Sequence, residues 1–343
     1  MAQQVMTLES IVGQPRVMGI LTRMLHNHRL AHALLFTGID GVGRQTTAKA
    51  LAMALNCLNP TGVSACAECP SCRKVATGNH PDVIVLKPRG ASIKIDQVRS
   101  LRKHLRFAPL EGRRRIIIIN DGQTMRAEAS NALLKILEEP PNNTHIIVTA
   151  PETTDLLPTI VSRCQHLAFR PIAPAEIASV LVARQGLDRD TALTLSLLAG
   201  GSLGRALAAD AEQWITWRQD LLKRVHSISD STKPTAALFD FAQSLARDKD
   251  RLEDALGLII MWFRDALMCK FAPEKVLNRD FLKEIQTLSE ELSVDELLQK
   301  MAAAFATQTA ILRNVNARLA LDVMMMRLRS DHSAWQDAGA KRV

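Results

Sequence analysis

Short apolar runs with little polar interruption recur along the first half of the chain: Ala33 to Thr37, Val83 to Leu86, Ile116 to Ile119, Ile146 to Thr149 and His166 to Phe169. Such runs, rich in Ile, Val and Leu, predict strands buried on both faces. Between them the apolar spacing is helical. Arg44 to Asn56 reads as a helix leaving a glycine-rich turn, and Val98, Leu101 and Leu105 mark another, with Asp96 as its expected N-cap. Strands alternating with helices over residues 1–170 predict an α/β domain built on a parallel sheet.

The strand signal stops after Arg170-Pro171-Ile172-Ala173-Pro174. Ala175 to Arg184 and Asp190 to Leu198 predict short amphipathic helices closed by Gly200-Gly201-Ser202, which makes 171–210 a small helical segment. Beyond it, Leu252, Leu256, Ile259, Ile260, Phe263 and Leu267 recur at helical spacing, as do Ile311, Val315, Leu319 and Val323. An all-helical domain over 211–332 follows, with a polar tail at 333–343 and Met324-Met325-Met326 as gap-filling core.

At 343 residues and 47% hydrophobic content the chain has material for two or three cores. No apolar run approaches the roughly 18 residues needed to cross a bilayer, and the start Met1-Ala2-Gln3-Gln4 lacks the regions of a signal peptide. The expectation is a cytoplasmic protein. A net charge of +8 suits work beside nucleic acid and equally suits many enzymes. With 4% aromatics and no Tyr, stacking of single-stranded bases is disfavoured, so any such contact would run through phosphates. Arg99, Arg102, Lys103, Arg106, Arg113, Arg114 and Arg115 form a basic run that reads either as a phosphate track or as a solvated face.

Gly38-Ile39-Asp40-Gly41-Val42-Gly43-Arg44-Gln45-Thr46-Thr47 has the glycine skeleton of a phosphate-binding P-loop. In a working loop the last glycine is followed by Lys, which neutralises phosphate oxygens, and then by a hydroxyl that holds magnesium. Here those positions are Arg44 and Gln45. An Arg fork is bulkier than an ammonium, and Thr46 is turned about 100° away along a helix. The architecture of a nucleotide site is kept, and ATP and Mg²⁺ binding becomes doubtful.

Cys57, Cys66, Cys69 and Cys72 fall in the pattern C-x8-C-x2-C-x2-C. In a reducing compartment four thiolates at this spacing suit a closed, structural Zn²⁺ site, with Gly62 and Pro70 supplying tight turns. A fortuitous cluster and a redox pair are the other readings.

Taken with Asn131-Ala132-Leu133-Leu134-Lys135-Ile136-Leu137-Glu138-Glu139-Pro140-Pro141, these motifs make the chain resemble the AAA+ subunits of the bacterial DNA polymerase III clamp loader. Ile11-Val12-Gly13-Gln14 resembles the family's adenine-side segment, and Asn79-His80-Pro81-Asp82 its phrase after the zinc knuckle. The resemblance implies an AAA+ domain, a lid and a helical collar that joins a ring. Its partners would be tau/gamma and delta subunits, the β sliding clamp and primer-template DNA, within the polymerase holoenzyme at the replisome.

A hydrolytic member ends its third strand with Asp then Glu, for magnesium and for water activation. This chain has Asn120 and Asp121 there, which favours the non-hydrolysing member over the motor subunit. An active motor-like ATPase and a zinc-dependent nucleic-acid-binding protein are the rivals. By the same resemblance, Arg163 in Ser162-Arg163-Cys164 is an arginine finger that acts in a neighbour's site, and Thr149 and Arg205 are sensor-like positions.

Overall fold

The buried apolar runs lie side by side as one parallel sheet in the order β2-β3-β4-β1-β5. The strands are β1 (Ala33–Thr37), β2 (Val83–Leu86), β3 (Arg115–Ile119), β4 (Thr144–Ala150) and β5 (Gln165–Ala168). Every residue of β1, β3 and β4 is buried, the pattern of strands covered on both faces. The computed structural model describes residues 7–105, 107–228, 234–313 and 315–329, with the backbone alone at 103 and 312. The chain divides into two compact units, Met1–Ala208 and Ala209–Val343.

In the first unit α1 (Pro15–His26) precedes β1, and the strands are connected through α2 (Arg44–Asn56), α3 (Pro70–Thr77), α4 (Ile95–His104), α5 (Ala127–Glu138) and α6 (Pro158–Val161). Three further helices follow the sheet: α7 (Pro174–Gln185), α8 (Arg189–Leu198) and α9 (Leu203–Ala208). Strand ends depart from the apolar runs by a residue or two at most. Asp96 is not an N-cap, because α4 begins at Ile95 and places Asp96 inside the first turn. The Gln97 side chain accepts from the Lys94 N–H at 3.1 Å instead.

Register decides what meets at the sheet's C-terminal end. Phe36 lies beside Thr149 and Ile119 beside Val148, so Asn120 emerges next to Thr149. The ends of β1, β4 and β3 therefore bring the glycine loop, Thr149 and Asn120-Asp121 to one edge, where α/β sheets bind ligands.

The second unit is helical: α10 (Ala211–His226), α11 (Thr235–Arg247), α12 (Leu252–Phe271), α13 (Leu282–Glu291), α14 (Val294–Leu312) and α15 (Ala317–Arg329). Leu252, Leu256, Ile259 and Phe263 are buried as the spacing predicts, around a fully buried Trp262 stacked edge-on to Phe281. Ile260, Leu267 and Cys269 are only partly covered. The stripe expected through Val315, Leu319 and Val323 is exposed, because α14 ends at Leu312 and α15 starts a new helix that buries Leu321, Met324, Met325 and Leu328. Met326 is exposed too, so two of the three methionines fill core. The polar tail lies outside the described residues.

Candidate functional site

Gly38, Gly41 and Gly43 all take positive φ, a conformation that folds the chain after β1 into a tight loop feeding the N-terminus of α2. Space as well as φ requires glycine at position 41. A Cβ there would lie 2.2 Å from Ser202 Oγ, and the Gly204 N–H donates to the Gly41 carbonyl at 2.9 Å. The N-terminus of α9 is thus seated backbone to backbone on the loop. Beside it opens a cavity of about 460 Å³. Gly41, Gly43, Arg44, Gln45 and Thr46 line it, with Ile11, Val12, Ile172, Leu203 and Leu207 supplying an apolar wall.

Arg44 is only 4% exposed, folded beside the Asp40 carboxylate at 3.6 Å. Burial pulls its pKa down, opposed by the charges of Asp40 and Asp121. Its Nη1 is buried with no protein partner. Thr47 is fully buried and does not line the cavity; its Oγ1 donates to the Gly43 carbonyl at 2.9 Å. Gln14, beyond the apolar wall, exchanges two hydrogen bonds with the Arg170 backbone and ties the N-terminal segment to the end of the sheet.

Asn120 is 2% exposed and its Oδ1 has no protein partner, while Asp121 is held at φ +55°. The Asp121 N–H donates to Thr149 Oγ1 at 3.1 Å, so the sensor-like hydroxyl accepts a structural hydrogen bond from the neighbouring strand end. Gly38, Asn120, Asp121 and Thr149 do not line the cavity. Neither does Arg205, whose side chain is exposed and whose N–H donates to Ser202 Oγ. Arg184, on α7, does line it. Its helical position gives no signal by itself; only the packing of α7 brings it there. Chemically the pocket offers two arginines, Arg44 and Arg184, and a glycine loop to an anion, but its lining has neither a metal-holding pair of acids nor a Glu placed to activate water.

Arg163 sits in the turn between α6 and β5, about a third exposed, and is absent from its own cavity's lining. Its Nη2 donates to Glu138 Oε1 at 2.6 Å and its Nη1 to the Thr159 carbonyl at 3.1 Å. Cys164 beside it is partly buried among apolar groups, which pushes its thiol up to about 11 and makes it inert.

The four clustered cysteines converge. Their sulfurs all lie within 4.8 Å of one another, near the separation of about 3.8 Å expected of thiolates around tetrahedral zinc. Backbone N–H groups of Cys66, Cys69 and Cys72 donate to the sulfurs of Cys57, Cys66 and Cys69. Burial works against the Cys69 thiolate, but N–H donation outweighs it and brings the thiol to about 6; burial raises Cys72 instead. All four are free thiols able to hold a metal ion.

The phrase after the knuckle has a structural task. Asp82 is fully buried and accepts from the N–H groups of Leu110, Glu111 and Gly112 at 2.7–2.8 Å. Burial would raise its pKa, yet these bonds and the Arg115 charge at 3.5 Å hold it below the usual carboxylate range. Arg115 donates to the carbonyls of His104, Phe107 and Ala108. It is 5% exposed and so drops out of the basic run. Arg102 and Arg113 remain exposed, Arg99 faces Asp96 and Arg114 donates to Asn143; Arg106 lies outside the described residues.

A family model described as DNA polymerase III, delta subunit, matches residues 13–173, and one described as its C-terminal part matches 209–330. The DNA polymerase III subunit delta' of Pseudomonas aeruginosa is 34% identical over 237 residues, which cover 68% of this chain and 70% of that protein. The chain belongs to the DNA polymerase III delta' family. Another delta' subunit, from Bacillus subtilis, is 28% identical over 92% of this chain and 96% of its own length. The Bacillus subtilis subunit tau is 31% identical, but this chain spans only 56% of it. No helix among the described residues is long and apolar enough to cross a membrane.

Proposed function

We propose that this chain is the non-hydrolysing delta' subunit of a bacterial clamp loader, which lends Arg163 to the ATP site of a neighbouring tau/gamma subunit. Together with delta, that ring would open the β sliding clamp and place it on primed DNA. The observation that carries this reading is the contrast between two arginines. Arg44 is buried in a pocket where Gln45 stands in place of the loop's magnesium-holding hydroxyl, whereas Arg163 stands at the surface outside that pocket. A guanidinium delivered to a γ-phosphate offsets the charge that develops on the terminal oxygens as the bond breaks. Arginine fingers of this kind accelerate phosphoryl transfer by roughly 10³ to 10⁵.

The test is ATP hydrolysis by the reconstituted ring. Arg163→Ala should assemble normally and abolish the share of DNA-stimulated turnover contributed by the one site it serves. Undiminished turnover with the variant incorporated would sink the finger, and magnesium-dependent turnover by the isolated chain would sink the silent pocket.

The cysteine cluster fits structural zinc, held by Cys57, Cys66, Cys69 and Cys72. With four protein thiolates the metal has no open position for chemistry. It would fasten the connection between α2 and α3. Metal analysis of the purified chain should give one zinc per chain, and chelation should lower its melting temperature.

A further inference from the structure

We infer that Glu138 is a positioning residue for Arg163, an inference that rests on the finger reading above. Glu138 is the last residue of α5, where a negative charge opposes the partial negative charge of the helix C-terminus. The helix thus gains nothing electrostatically from a carboxylate at this place. The carboxylate instead meets Arg163 Nη2 at 2.6 Å, while Nη1 is held by the Thr159 carbonyl at 3.1 Å and approaches Ser162 Oγ at 3.5 Å.

The two backbones that carry this pair are fixed by one core. Leu133, Ile136 and Leu137 of α5 and Ile160 of α6 are buried in the same apolar cluster, with Val161 and Cys164 packed against it. Only the long side chain of Arg163 is left to order. An unrestrained Arg loses rotamer freedom when it docks, and two anchors placed beforehand remove most of that cost. A guanidinium has five N–H donors, so bonds to Glu138 and Thr159 leave others for an incoming phosphate. Glu138 therefore holds the fork extended and oriented before the neighbour's nucleotide arrives.

The experiment is steady-state ATPase of the full reconstituted ring on primed DNA. Arg163-dependent turnover is read as wild type minus the Arg163→Ala ring. Glu138→Ala should lower this quantity about three- to fivefold, with the KM for ATP unchanged, the scale of a partly exposed ion pair expressed only at the transition state. Glu138→Gln keeps an acceptor at the same place and should recover most of the loss. Adding Glu138→Ala to Arg163→Ala should cost nothing more, since a residue that acts through another has no effect without it. Unchanged turnover in Glu138→Ala, or a further loss in the double variant, would overturn the positioning role and leave the finger standing. Faster turnover would overturn it as well, by showing that the carboxylate competes with phosphate for the fork. If Arg163→Ala itself has no effect, both readings fall together.

Discussion

The glycine-loop pocket and the Arg163 corner carry motifs of one nucleotide-handling family, yet their polar groups are disposed in opposite ways. In the pocket and at the strand ends beside the loop they are turned inward: Arg44 is buried beside Asp40, Gly41 is covered by Ser202 and Gly204, and Thr149, outside the cavity lining, accepts from the Asp121 backbone. At the corner a guanidinium is presented at the surface on two anchors. On the proposed reading, the fold keeps the geometry of the site for its own cohesion without its chemistry, because backbone packing and catalysis make separate demands on the same residues.

The largest expected effect separates those demands. Arg163→Ala should reduce hydrolysis at the neighbour's site by roughly 10³-fold, while stability measured by urea unfolding stays within about 0.5 kcal/mol of wild type. A matching loss of stability would dissolve the contrast. Gly41→Ala should do the reverse. It forces a Cβ onto Ser202 Oγ at φ +71°, and should cost about 3 kcal/mol of stability with little change in Arg163-dependent turnover once the ring is assembled. Thr149→Val leaves the Asp121 N–H without its acceptor and should cost about 1–2 kcal/mol, again read by urea unfolding. The smallest effect sharpens the comparison most. Arg44→Lys combined with Gln45→Thr restores the loop's side chains, yet magnesium-dependent turnover by the isolated chain should remain at background, since Asn120 still stands where the metal carboxylate belongs and Asp121 where the water-activating Glu does. Measurable hydrolysis would place the defect in the loop alone.

The strands were legible because residues buried on both faces leave nearly unbroken apolar runs, and Arg44 to Asn56 was legible because a glycine turn and a helical period agree. Where only one signal was present, the reading failed. Asp96 has the chemistry of an N-cap, but α4 starts one residue before it. Val315, Leu319 and Val323 have the spacing of a buried face, but the break after Leu312 rotates a different set into the core. Arg115 sits in a basic run and yet is pinned inside by three carbonyls and Asp82.

Side-chain identity by itself determined what chemistry each place can perform, because a missing carboxylate, hydroxyl or ammonium is missing in any conformation. The loss of metal ligands and the presence of four thiols were therefore readable without coordinates. Only the tertiary structure decided which groups are spent internally and which face outward. Thr149 becomes an acceptor, Arg184 a wall of the cavity and Glu138 the partner of Arg163 through strand register and helix packing, which join residues far apart in the chain and leave no local trace in it.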